Sequence, residues 1–125
     1  MVWLLVGVGG ALGAMARHGF SRLIHQRNPS GTFPLAILLI NVLGSFAIGL
    51  LSGVIVSGRW HASLETRTFL IVGVLGGFTT FSSFSFDTLA LVREGHLGMA
   101  LGNVVGQLVL SLVGVWLGFR LGRYV

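Results

Sequence analysis

Apolar residues gather into four long stretches, at about 2–23, 33–56, 64–92 and 97–119, separated by short polar segments. A helix crosses the hydrocarbon core of a bilayer in about 20 apolar residues, so each stretch has the length of a span. The polar segment at 25–31 holds Asn28, Pro29 and Gly31, which mark a loop. Pro34 suits the first turn of the second helix. Ser63 is placed to cap the third, with Glu65 in its first turn where the helix dipole favours an acid. The pattern predicts an all-α membrane protein of one domain, 1–125, with four transmembrane helices.

The third span departs from that pattern at Gly76-Gly77-Phe78-Thr79-Thr80-Phe81-Ser82-Ser83-Phe84-Ser85. Two glycines, five hydroxyls and three phenylalanines have no use on a plain lipid-facing helix. Irregular backbone at bilayer depth survives only where protein or a water-filled cavity satisfies its polar groups. The helix is therefore expected to break at 76–80, and the segment marks a site where something polar crosses.

Composition sharpens this reading. The chain is 54% hydrophobic and 9% charged, against about a quarter charged for a soluble domain. Cysteine is absent, which removes disulfides and thiolate metal sites. The net charge is +5 and the basic residues are all arginines. They stand singly between apolar runs, with no basic stripe for nucleic acid. The first stretch lacks a charged segment ahead of it and contains Arg17, unlike a signal peptide. Trp3, Trp60, Trp116 and Tyr124 fall near span ends, as an interfacial aromatic belt requires.

Small residues recur at every fourth position. Ser45, Gly49, Gly53 and Ser57 form one ladder, Gly98, Gly102 and Gly106 a second, Gly114, Gly118 and Gly122 a third, and Gly9 with Gly13 a shorter one. Such ladders let helix backbones approach closely where lipid offers no hydrophobic drive. Together they predict a compact, oligomeric bundle. Four spans put Arg59, Arg67, Arg120 and Arg123 on one side, and Arg22, Arg27 and Arg93 on the other. So small a bias gives no preferred orientation. A chain with no preference can insert both ways, and two copies can then pair antiparallel about an axis in the membrane plane; the alternative is a single orientation fixed by the weak bias or by cellular factors.

Polar groups inside spans are functional candidates. Asn41 lies mid-span in the second stretch and offers two donors and an acceptor. Asn103, Gln107 and Ser111 follow at i, i+4, i+8 on one face of the fourth helix and read as a polar track. Phe81 and Phe84 share a face of the third, in the company of Thr79, Thr80, Ser83 and Ser85. Aromatic rings have positive edges. Ring edges, amide N–H and hydroxyl donors together suit a small, hard anion. Carbonyls freed at the Gly-Gly break can coordinate a cation, and two copies meeting there can share one alkali ion. Arg17 either draws anions to a vestibule or pairs with Asp87. The four histidines lie near span ends without metal-ligand spacing. Nothing resembles a catalytic triad, paired carboxylates or a phosphate loop, so no enzyme is expected.

At these residues the chain resembles the Fluc/CrcB family of fluoride channels. The likeness rests on residues 9–17, ending in Arg17, on Asn41 with Gly44, and on the specific run at 76–85. It implies a passive, fluoride-selective channel that exports fluoride across the plasma (inner) membrane of a bacterium or archaeon. It implies an antiparallel, dual-topology homodimer with two pores. Sodium would sit at the dimer centre on the backbone carbonyls of Gly76 and Thr79 from each copy. The pore would be lined by Asn41, Phe81, Phe84, Ser83, Asn103, Gln107 and Ser111, with Arg17 and Asp87 at the vestibule. Ala36 and Ile37 stand where relatives commonly carry Gly-Thr, and Ser83 where threonine is commoner. Two other readings remain. One is a proton-coupled exporter like the small multidrug resistance transporters, for which Asp87 alone is poorly placed. The other is a non-conducting assembly subunit.

Overall fold

The computed structural model describes residues 1–125, which form an all-helical chain without strands. Four helices follow one another: α1 Val2–Arg27, α2 Leu35–Val56, α3 Leu64–Arg93 and α4 Leu97–Tyr124. The last three are long and apolar enough to cross a membrane. Helix α1, at 26 residues, is long enough, but three arginines and two histidines in its second half lower its hydropathy. The helices overrun the expected spans, by four residues at the end of α1 and by five at the end of α4.

Local chemistry sets the ends. The Ser63 hydroxyl accepts from Thr66 N–H at 3.1 Å and caps α3. Pro34 stands just ahead of α2, and its own carbonyl accepts from Leu38 N–H. Gly58 and Gly95 have φ of +75° and +81°, the left-handed turns that let the chain reverse after α2 and α3.

Two helix pairs make the bundle. Helix α1 packs along the N-terminal part of α3, and α2 packs along α4. Glycine makes both seams possible. A Cβ built at Gly9 would stand 2.7 Å from the Phe69 carbonyl, and one at Gly77 would stand 2.5 Å from that of Gly10. On the second seam, a Cβ at Gly49 would lie 2.9 Å from Phe119 N, and one at Gly118 2.9 Å from Leu50 N. Gly53, Gly114 and Gly122 continue that seam. The ladder at Gly98, Gly102 and Gly106 behaves differently. The first two meet nothing, and the third only the Leu38 side chain.

Helix α3 is irregular over much of its length. Residues Thr68–Leu75 are wound as π-helix, and Gly76–Phe78 return to α-helix. Thr79 (φ −79°, ψ 156°) and Thr80 (φ −154°, ψ 119°) are extended, and helix resumes over Phe81–Arg93. Gly76 and Gly77 keep helical winding, so the irregular step falls on the threonine pair that follows them. Gly77 instead admits α1, whose Gly10 backbone lies against it.

Candidate functional site

The two extended threonines organise a buried polar network. Thr80 N–H cannot reach back along α3, and donates to Asn41 Oδ1 on α2 at 2.8 Å. Asn41 Nδ2 returns a bond to the Thr80 carbonyl at 3.0 Å. The Asn41 side chain thus pairs with both backbone groups of one residue, as a neighbouring strand would. Its second Nδ2 bond, 2.9 Å long, goes to Gln107 Oε1 on α4. Three helices meet at one amide.

Thr80 also starts the helix beyond it. Its Oγ1 accepts from Ser83 N–H at 3.2 Å, an N-cap bond. The same hydroxyl donates to Ser83 Oγ at 3.1 Å and lies 3.2 Å from Ser82 Oγ. These hydroxyls separate two open cavities. One, of about 330 Å³, is lined by Asn41, Thr80, Phe81, Phe84, Gln107 and Ser111 among others. The other, of about 670 Å³, has Ser82, Ser83 and Asp87 on its α3 side and Ser21 and His25 on its α1 side. Hydrogen bonds therefore link Ser83, Thr80, Asn41 and Gln107, with Ser21 and Asp87 bordering the larger cavity on one side of them and Ser111 the smaller one on the other.

The phenylalanines stand beside this network. Phe81 and Phe84 meet edge to face, with ring centroids 5.2 Å apart at 71°. Phe84 is buried, whereas Phe81 is 73% exposed and borders the open side of the smaller cavity. A single chain leaves that side uncovered.

Other candidates take different places. Asn103 is fully buried and does not line either cavity. Its Nδ2 donates to Thr88 Oγ1 at 3.0 Å, and Thr88 in turn donates to the Phe84 carbonyl at 2.8 Å. Arg17 donates from Nη1 to the Thr79 carbonyl at 3.2 Å, while Asp87 faces the larger cavity. Ile37, in place of the expected hydroxyl, lines that same cavity.

The carbonyls of Gly76 and Thr79 can be weighed as cation ligands. Gly76 is exposed and has lost its i+4 donor, because Thr80 N–H is turned to Asn41. The Thr79 carbonyl has no helical donor either and accepts only from Arg17 among the side chains. Carbonyl oxygens are hard ligands and fit a hard cation. One chain offers two of them, too few to fill such an ion's shell.

Sequence reasoning does not find the hub. In the sequence Thr80 is one hydroxyl among several, and Ser83 three residues on is not the Glu or Gln that would complete a capping box. His25 has the position of an interfacial residue, yet its Nδ1 lies 2.7 Å from the Ser21 carbonyl and its ring borders the larger cavity.

Apolar helices long enough to cross a membrane, packed around a hydrogen-bonded polar network, define a multi-pass membrane protein. Residues 4–119 match the family described as CrcB-like protein, Camphor Resistance (CrcB), and the chain belongs to that family. It is 50% identical over 118 residues to the fluoride-specific ion channel FluC of Opitutus terrae, spanning 94% of this chain and 89% of that one. Its likeness to a channel of the same name from Thermus thermophilus is 49% over 120 residues, 96% and 94% of the two chains. With that of Paramagnetospirillum magneticum it shares 49% over 119 residues, 94% and 92%.

Proposed function

We propose that this protein is a passive, fluoride-selective channel that lets fluoride leave the cell across the plasma membrane. One observation carries the reading: a hydrogen-bonded chain from Ser83 through Thr80 and Asn41 to Gln107 stands between two cavities, the smaller of them lined by Phe81 and Phe84. Relatives at about half identity over nearly their full length bear the name of fluoride-specific channels. Fluoride is small and strongly hydrated. A pore for it must replace water with donors and positive ring edges, yet hold the ion weakly enough to release it.

The exposed Phe81 and the open flank of the smaller cavity favour a second copy as the missing wall. The near-balance of arginines on the two sides favours an antiparallel copy, which gives a dual-topology homodimer with two equivalent pores. Gly76 and Thr79 of both copies would then supply four carbonyl oxygens to one sodium ion at the dimer centre. That ion would supply a fixed positive charge and tie the copies together. Arg17, sharing the Thr79 carbonyl, would reinforce the positive field near the passage. Asp87 and Ser83 would line its outer part.

Purified protein in liposomes tests the proposal directly, with fluoride efflux read by an electrode. Fluoride-selective efflux that needs no proton gradient is the expected result. Efflux that requires a proton gradient would mean an exporter, and none at all a non-conducting subunit. Labelling of a C-terminal tag from both faces of the membrane tests dual insertion. Labelling from one face alone overturns it.

A further inference from the structure

The hydrogen bonds around Asn41 leave it no free donor. Thr80 N–H can only donate, so the Asn41 atom facing it at 2.8 Å is Oδ1. Both Nδ2 hydrogens are then committed, one to the Thr80 carbonyl and one to Gln107 Oε1. Because Asn41 donates, the Gln107 atom facing it must be oxygen, which forces Gln107 Nε2 to the opposite side. There Nε2 is buried and has no partner. Gln107 is only 5% exposed. A buried donor without a partner is costly and calls for an explanation.

Resting on the channel reading above, we propose that Gln107 is an amide switch whose oxygen stands in for the anion at Asn41. With the site empty, Oε1 accepts from Asn41 and keeps that amide satisfied. When fluoride arrives, the Gln107 side chain withdraws and turns its amide over. Asn41 Nδ2 and Gln107 Nε2 then both donate to the ion. One neutral hydrogen bond and one orphaned donor are exchanged for two charge-assisted bonds, each about twice as strong as a neutral one. Glutamine has the rotatable bonds to make the movement, while Asn41 is held by Thr80 on its other edge. Asn41 is thus both a donor and the positioning residue that sets the resting face of Gln107. When the ion leaves, Oε1 returns to Asn41, so the site is never left with two bare donors, and release is eased.

Two glutamines, Gln26 and Gln107, and three asparagines, Asn28, Asn41 and Asn103, make the side-chain amides few enough to resolve. The protein is labelled with 15N at these amides, placed in lipid nanodiscs, and titrated with fluoride or chloride. Gln107→Met and Asn41→Asp assign the signals. Fluoride, and not chloride, should shift the Gln107 and Asn41 amides and leave Gln26 unmoved. In liposomes Gln107→Met should slow fluoride efflux about tenfold or more, the factor expected for one lost hydrogen bond to a charged group. In Asn41→Asp, carboxylate oxygens replace the donor, so Gln107 should turn Nε2 inward and cease to respond to fluoride. Wild-type efflux with a Gln107 amide that ignores fluoride overturns the switch alone. So does contact of that amide with water protons but not with the ion, or Gln107→Met efflux at the wild-type rate. Absence of wild-type efflux overturns the channel reading and the switch with it.

Discussion

Replacing Asn41 by alanine isolates what holds the extended step of α3. The substitution removes three bonds, of 2.8, 3.0 and 2.9 Å. Thr80 is buried, so its N–H and C=O lose their partners with little water to replace them. An unsatisfied buried polar group costs about 1–3 kcal/mol. Two such groups cost roughly 2–6 kcal/mol, the lower part of the range applying if the adjoining cavity admits water. Tenfold in an equilibrium corresponds to about 1.4 kcal/mol. Local opening at Thr80 should then become about 30-fold to roughly ten-thousand-fold more frequent. Amide hydrogen exchange in nanodiscs measures this at Thr80, with Ser83 as a second probe because its N–H depends on the Thr80 hydroxyl. Asn41→Asp retains the acceptor for Thr80 N–H and should protect that amide better than alanine does. If Thr80 exchange in Asn41→Ala stays within about threefold of wild type, the asparagine is not what satisfies the extended backbone, and the site's architecture has been misread.

Other perturbations test neighbouring parts. Phe81→Ile or Phe84→Ile should slow fluoride efflux sharply while leaving the assembly intact by size-exclusion chromatography, since the change removes ring edges but little apolar volume. Thr80→Val deletes the N-cap acceptor of Ser83 N–H and should lower thermal stability by about 1 kcal/mol, measured as loss of helical circular dichroism in detergent. Gly118→Val must force α2 and α4 apart, because even a Cβ there lies 2.9 Å from Leu50 N. It should abolish accumulation of folded protein, whereas Gly102→Val, with nothing near it, should be tolerated. Arg17→Met removes the donor to the Thr79 carbonyl. If sodium uses that oxygen, thermal stability of the variant should remain sodium-dependent and respond at lower sodium concentration than wild type.

The helices were legible in the chain because their cause is local. Twenty-residue apolar runs, Ser63 at a helix start, and Asn28, Pro29 and Gly31 in a loop act on their own neighbourhoods. The irregularity of α3 was legible for the same reason: hydroxyls and glycines in hydrocarbon need a structural excuse. Spacing along a single helix also put Asn103, Gln107 and Ser111 on one face. Spacing could not tell that this face changes its surroundings along its length. Gln107 and Ser111 border a cavity, while Asn103 is sealed against Thr88. The glycine ladders show the same limit. The one at Gly114, Gly118 and Gly122 meets α2, and the one at Gly98 and Gly102 meets nothing.

Tertiary structure decided whatever depends on partners far apart in sequence. Asn41 and Thr80 are 39 residues apart, and Asn41 and Gln107 are 66 apart. Only their convergence moves the extended step from the glycines to the threonines, commits both donors of Asn41, and leaves Gln107 Nε2 unpaired. A sequence determines which groups cannot face lipid. Which of those groups satisfy one another is set by the packing of helices, and here that packing is set by where glycine lets two backbones touch.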